Sequence, residues 1–337
     1  MPGALILKRG VSEELQNLKP CYYKIRFSDS YRLPIEKLTI FDQDELSPDL
    51  SENTGSQKIR TRTRFLFYSV TPATSQTPPP PPLMEPYLNK DTQLCMSLAA
   101  RPGNFGTRFH NFLYRALTLN FIYKAFTTRD IGAAIGGVRA LGIRGCAISM
   151  PFKETCIEYL DEMDTSAAGI GSVNTIVNND GYLKAYNTDY MAVFELIRST
   201  GIPSGSDFAL LGSGGMAKAV ACALRDAGFL KGLIVARNEE TGTALAGQYG
   251  FRWRRDLTDE KPQLLINASP IGMAGGAEAE ELAFSEKLVS SAEFVFDVVA
   301  LPAETPLIRL ALSLRKKTIT GAAVAVLQAA EQFVLYT

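Results

Sequence analysis

Beyond residue 88 the chain alternates short apolar runs with amphipathic stretches, and turn residues punctuate the joins. Residues 119–126 read as a strand. Residues 130–141, which follow Thr127 and Thr128, carry the spacing of a helix, and 145–149 form a short buried strand stopped by Pro151. The runs 172–178 and 182–187 flank Asn179-Asp180-Gly181, the turn chemistry of a β-hairpin. Further on, 208–211, 232–236, 264–267 and 294–299 are mostly apolar, with helical stretches between them. Strands that are apolar throughout need cover on both faces, so the pattern predicts an α/β protein with a mainly parallel sheet. No repeat of solenoid period is present.

The first 86 residues break this pattern. Lys58, Arg60, Arg62 and Arg64 form a basic patch, and a Thr/Ser/Pro stretch then ends in five prolines, residues 78–82. Five prolines fix an extended rod that no helix or central strand crosses, which sets a boundary there. The segment reads either as a docking arm or as a disordered extension, and Met84 is a candidate alternative start.

Composition narrows the function classes. At 337 residues the chain has length for two ordinary domains. Lys plus Arg and Asp plus Glu are both 35, so the balanced charge disfavours a nucleic-acid partner. No apolar run reaches the roughly 18 residues of a spanning helix, so no membrane partner is expected. The N-terminus lacks a secretory pattern, and its acidic residues fit a transit peptide poorly. Five cysteines, odd in number and without a CxxC pair, argue against a disulfide framework or a metal site and for a cytoplasmic, reducing setting. With a single histidine, His110, mechanisms built on several imidazoles are excluded.

The strongest local motif runs from Phe208 through Gly212-Ser213-Gly214-Gly215-Met216-Ala217 into an Ala-rich helix. Gly212 suits a tight turn, Gly214 lets a pyrophosphate approach the backbone, and Ala217 keeps the helix close to the strand. The N–H groups at such a helix start favour an anion. The next strand ends in Arg237-Asn238 rather than in an acid, and an arginine there suits a 2′-phosphate. NADP is the cofactor this reading selects.

Two further stretches hold polar groups at strand ends. Ser149 to Glu154 follows one strand, while Ser172-Val173-Asn174-Thr175 and Asn187-Thr188-Asp189 bracket the hairpin. Taken singly, Lys153 reads as a surface charge, Asp189 as a helix cap and Asn174 as a turn residue.

In combination the motifs resemble the shikimate dehydrogenase family, and in particular its shikimate dehydrogenase-like branch, over about 88–337. The family's Asn-Val-Thr-x-Pro-x-Lys is similar to Ala147 through Lys153, with Ser149 at the threonine and Lys153 at the lysine. Its Gly-Ala-Val-Asn-Thr resembles Gly171 through Thr175, and its Asn-Thr-Asp is repeated by Asn187-Thr188-Asp189. The glycine turn, the NADP motif at Ala236-Arg237-Asn238 and the closing Gly321 to Gln328 follow in the family's order. The resemblance implies a substrate domain, 87–188 with 320–337, a Rossmann domain, 189–319, and an interdomain cleft. Within it Lys153 and Asp189 form the catalytic pair, and Ser149, Asn174, Thr188 and Gln328 face the substrate hydroxyls. Gly212, Gly214, Gly215, Met216, Ala217, Arg237, Asn238, Ser269 and Val299 face NADP. The implied activity interconverts shikimate, or a related cyclic hydroxy acid, and its 3-dehydro ketone, within aromatic amino acid biosynthesis, with a homodimer as a candidate assembly.

Three departures accompany the resemblance. The family's Ser-x-Ser pair, which grips the substrate carboxylate, aligns with Asn104-Phe105-Gly106, and its supporting tyrosine aligns with Ala300. Ser97, Arg101, Thr107 and Arg108 are nearby candidates for a replacement grip, so Asn104 and Thr107 join the substrate-binding set. The sequence ends at Thr337, where the resemblance leads one to expect a further closing helix. Low efficiency on shikimate follows, and the alternatives are a dehydrogenase of quinate or another polyol, or a non-catalytic NADP-binding module.

Overall fold

The computed structural model describes residues 88–257 and 260–337, together with the backbone of three N-terminal strands. These are β1 (Ala4–Lys8), β2 (Cys21–Arg26) and β3 (Lys37–Asp42), an antiparallel sheet in that order. The basic patch and the proline run lie outside the described residues, as does the reading of that segment as arm or extension. The chain divides into two compact units, one built on Met1–Leu83 and one spanning Met84–Tyr336.

The larger unit holds two six-stranded sheets. The first is built from β4 (Gln93–Ala99), α1 (Phe105–Ala116), β5 (Phe121–Thr127), α2 (Ile131–Ala140), β6 (Gly145–Ile148), β7 (Glu162–Met163), α3 (Thr165–Ala168), β8 (Thr175–Asn179) and β9 (Tyr182–Tyr186). Its order is β5-β4-β6-β8-β9-β7, with β4 parallel to β5 and β6, and β8 antiparallel to β6 and β9. Leu98, Ile135, Val138, Cys146, Ile148, Ile176 and Leu183 share the core between sheet and helices. The Asp130 carboxylate accepts the Ala133 N–H at 2.9 Å and so starts α2. Gly181, at φ +92°, closes the expected hairpin, where its N–H donates to Asn178 Oδ1 at 2.7 Å.

After α4 (Thr188–Thr200) the chain builds the second sheet from β10 (Phe208–Leu211), α5 (Gly215–Asp226), β11 (Gly232–Val235), α6 (Glu239–Tyr249), β12 (Arg252–Arg254), β13 (Leu264–Asn267), α7 (Glu286–Ser291), β14 (Phe294–Asp297), α8 (Pro306–Ser313) and β15 (Lys317–Thr320). Its order is β12-β11-β10-β13-β14-β15 and every pairing is parallel. β10, β11, β13 and β14 are apolar and buried along their whole length, apart from the last residue of β10 and the polar ends Asn267 and Asp297. Strand order reverses between β10 and β13, the place where open α/β sheets form a ligand crevice.

The final helix, α9 (Gly321–Tyr336), starts from the end of β15 yet packs against α1, α4, β6 and β8 of the first sheet. A Cβ at Gly321 would collide with the Val298 and Val299 carbonyls, so this close crossing requires glycine.

Boundaries differ from the sequence reading where a polar contact replaces the ladder. Leu119 ends the α1 turn by donating to the Tyr114 carbonyl at 2.8 Å, so the strand begins at Phe121. Residues 172–174 precede β8, with Val173 N donating to the Lys153 carbonyl at 2.8 Å. β14 stops at Asp297 because Val299 N donates to the Asp297 side chain at 3.0 Å. β4, which lies between β5 and β6 in the first sheet, is not separated from its surroundings by the apolar pattern. Its core residues Met96 and Leu98 are interrupted by Ser97.

Candidate active site

The glycine turn joins β10 to α5. Gly212 sits at φ +121°, and a Cβ there would lie 2.7 Å from the Ala268 carbonyl oxygen, so both backbone and space demand glycine. Gly214 is the N-cap, Gly215 and Met216 open the helix, and Ala217 is fully buried against the sheet. A Cβ at Gly214 or Gly215 meets nothing within 4 Å, which leaves a bare backbone cradle at a helix N-terminus. Such a cradle fits a pyrophosphate. Arg237 and Asn238 follow β11; Asn238 caps α6 through Thr241 N at 3.0 Å. The Arg237 guanidinium is exposed and only loosely paired, 3.7 Å from Glu278 Oε1.

The next two strand ends are knitted together by buried polar groups. Asp297 accepts from Asn267 Nδ2 at 3.0 Å, from Val299 N at 3.0 Å and from Thr305 Oγ1 at 2.6 Å. Asn267 Oδ1 in turn accepts from Ser269 N and Oγ. Burial pushes the Asp297 carboxyl up to about 6, against the pull of those three donors. Sequence reasoning identified Ser269 and Val299 but missed Asn267, Asp297 and Thr305, which hold them. The signal was available: a polar residue closing each of two apolar strands.

In the first sheet, the turn after β6 carries Lys153, whose backbone carbonyl accepts from Val173 N. Lys153 Nζ lies 2.6 Å from Asp189 Oδ2, with both side chains mostly buried. Asp189 stands in the first turn of α4, whose cap is Asn187 rather than Asp189. One residue along the same turn, Glu154 pairs with Lys218 of α5 at 2.9 Å, so this pair bridges the elements of the two sheets.

Around the ion pair the amides and hydroxyls interlock. Asn174 Oδ1 accepts from Thr175 Oγ1 at 2.8 Å, from Thr188 N at 2.8 Å and from Thr188 Oγ1 at 3.1 Å. Thr188 Oγ1 also lies 3.5 Å from Gln328 Oε1 on α9. Lys153 and Asp189 thus adjoin Asn174, Thr188 and Gln328 through the start of α4. Gln332, one helical turn beyond Gln328, donates to Thr175 Oγ1 at 3.0 Å; the sequence reading missed it, although the i, i+4 spacing on one face signalled it.

The remaining candidates stand apart. Ser149 is exposed at the end of β6 and Asn104 is exposed at the α1 N-cap, where its side chain makes no capping bond. Among the described residues no hydrogen bond joins either side chain to the Asn174 cluster. Thr107 Oγ1 is buried without a partner. Gly106 packs under Tyr123, whose hydroxyl would lie 3.3 Å from a Cβ at 106. His110 is fully buried and stacked on Tyr123 at 4.4 Å, a core position. Among the described residues no group of three metal-ligating side chains forms, and no helix is long and apolar enough to cross a membrane.

Comparison with known proteins agrees with this geometry. The shikimate dehydrogenase substrate binding domain model matches residues 105–176. A shikimate dehydrogenase-like protein of Haemophilus influenzae is 58% identical over 250 residues, covering 74% of this chain and 92% of the relative. An NADP(+) shikimate dehydrogenase of Moorella thermoacetica is 34% identical, covering 68% and 82%. A solved shikimate 5-dehydrogenase-like protein superposes with a TM-score of 0.73 over 74% of this chain and 93% of that one, at 58% identity. The Thermus thermophilus shikimate 5-dehydrogenase, solved with NADP(H) and shikimate, does so with a TM-score of 0.66 at 28% identity, covering 73% and 93%. Two sheets around a glycine turn and a Lys–Asp pair, and relatives matched over most of their length, have one conclusion: the chain belongs to the shikimate dehydrogenase family.

Proposed function

We propose that the chain is an NADP-dependent oxidoreductase that interconverts shikimate, or a related cyclic hydroxy acid, and its 3-dehydro ketone. The observation that carries this reading is the 2.6 Å Lys153–Asp189 pair beside the Asn174, Thr188 and Gln328 cluster. The proposal includes a substrate domain of 87–188 with 320–337 and a cofactor domain of 189–319.

NADP, when bound, supplies the group that accepts and returns hydride. Gly212 to Ala217 would hold its pyrophosphate, Arg237 and Asn238 its 2′-phosphate end, and Ser269 and Val299 its nicotinamide end. An ammonium against a carboxylate can take up and release the proton of a substrate hydroxyl, and the two groups act as one titrating unit. The Asn174 amide and Gln328 would orient the ring hydroxyls. A substrate lacking those hydroxyls would leave buried polar groups unpaired and be rejected.

Asn104, Gly106 and Ala300 remove the serine and tyrosine hydroxyls that would grip a carboxylate, so efficiency on shikimate is low. That same observation favours a second reading, a dehydrogenase of a polyol without a carboxylate, or a non-catalytic NADP-binding module; quinate, which carries a carboxylate as shikimate does, is the nearer alternative substrate for the same reaction. The test is NADP⁺ reduction across shikimate, quinate and carboxylate-free polyols, with NADP⁺ binding measured in parallel. Turnover of shikimate with a high KM is expected. Best turnover on a carboxylate-free polyol supports the polyol dehydrogenase, and NADP⁺ binding without turnover of any substrate supports the module.

The activity would serve aromatic amino acid biosynthesis. Buried, free Cys95, Cys146, Cys156 and Cys222 support a reducing, cytoplasmic setting. Light scattering tests the expected homodimer, with twice the chain mass as the predicted result.

A further inference from the structure

We infer that Gln332 is a positioning residue for the substrate site, holding the Asn174 amide with its N–H groups toward the cleft. The inference rests on the functional reading above, which makes Asn174 a substrate contact. Thr188 N can only donate, so its 2.8 Å bond fixes which end of the Asn174 amide is the oxygen. That oxygen has three donors, while among the described residues no protein group accepts from Asn174 Nδ2. The amide is therefore presented as a donor, the form that recognises a hydroxyl oxygen.

One of the three donors is Thr175 Oγ1, which has a single hydrogen. It donates that hydrogen to Asn174 at 2.8 Å, while Thr188 Oγ1 stands 3.3 Å away as a competing partner. Asn174 Oδ1 can only accept and lies nearer, so the hydrogen goes to it. Gln332 Nε2 donates to Thr175 Oγ1 at 3.0 Å, which occupies that oxygen as an acceptor and holds the hydroxyl in place. The same Nε2 reaches the Asn174 backbone carbonyl at 3.3 Å, pinning the residue at both ends.

Gln332 is itself buried, at 4% exposure, on a helix otherwise rich in Ala, Val, Leu and Phe. An amide there costs stability unless it is bonded, and these two bonds are what its position provides. His110, stacked 6.5 Å from the adjacent Phe333 of α9, is fully buried, and burial drives its imidazole down to about 3. The ring is neutral, so no charge competes for the amide.

The test compares shikimate KM, kcat and NADP⁺ affinity in the wild type, Gln332→Met and Thr175→Val. Methionine keeps the length of the side chain and removes the donor; valine cuts the next link. Each should raise the shikimate KM about 5–30-fold, the scale of one or two hydrogen bonds, with kcat within about threefold and NADP⁺ affinity unchanged. The double variant should be little worse than either single, because both break one chain. Thr175→Ser should recover most of the loss. Parallel decline of kcat, NADP⁺ affinity and melting temperature would mean a merely structural role and overturn the inference, as would an unchanged KM in an active Gln332→Met enzyme. No shikimate oxidation by the wild type would overturn the functional reading itself, and this inference with it.

Discussion

Lys153 and Asp189 come from separate elements, a turn after β6 and the first turn of α4, yet their charged atoms meet at 2.6 Å. If they move the hydroxyl proton, Lys153→Ala should lower kcat by at least ~100-fold while circular dichroism stays native. Asp189→Asn should behave alike, with the double variant little worse. Single variants with near-wild-type turnover would refute the pair. Arg237 presents the complementary case at the proposed cofactor end. Its only ion partner among the described residues is Glu278 at 3.7 Å, a weak competitor for a phosphate. Arg237→Ala should weaken NADP binding by about 1.5–3 kcal/mol and leave NAD binding nearly unchanged. Equal loss for both, measured by calorimetry, would make the arginine structural.

Single elements carry a different kind of constraint. Gly212→Ala would press a Cβ to 2.7 Å from the Ala268 carbonyl at a φ that side chains rarely adopt, so the turn itself must move. Loss of NADP binding together with a lower melting temperature is expected; retained binding would mean that the turn is not the cradle. Asp297, at the end of β14, sets a pH dependence. Its carboxyl is raised from 3.8 to about 6 by burial, so between those values the folded protein holds a proton that the unfolded chain has lost. This group makes stability fall as pH rises through that window, with no further change above it. Asp297→Asn should flatten melting temperature against pH between about 4 and 6, and an unchanged slope would assign the dependence elsewhere.

The elements also explain what was legible in the sequence. β10, β11, β13 and β14 are apolar along almost their whole length, a signal that period and flanking turns make readable. β7 and β12, of two and three residues, are too short and too polar to register. In the site, Lys153, Asp189, Asn174, Thr188 and Gln328 carry motif signatures. Gln332, Asn267 and Thr305 lie outside those motifs, because their positions are set by tertiary contacts from α9 and the strand-end loops.

At the scale of the whole molecule, the Haemophilus influenzae relative matches 74% of the chain, and the family model matches residues 105–176, well beyond the proline run. The two compact units divide at Leu83 and Met84. Removal of residues 1–83 should therefore leave turnover and melting temperature unchanged; a large fall in melting temperature would show that the segment supports the core. On the proposed reading, Lys153 and Asp189 handle the proton and the glycine turn and Arg237 bind the cofactor, while the carboxylate end would lack hydroxyls at Asn104, Gly106 and Ala300. Each lost hydrogen bond to a charged group is worth roughly 1.5–3 kcal/mol, which places the deficit in KM rather than in kcat. The direct measurement is the steady-state KM and kcat of the wild-type chain for shikimate with NADP⁺, beside the Moorella thermoacetica relative in the same assay. The account predicts measurable kcat with a KM about two or more powers of ten higher than that of the relative. A KM as low as the relative's would contradict it, since the carboxylate would then be held by other residues of this chain.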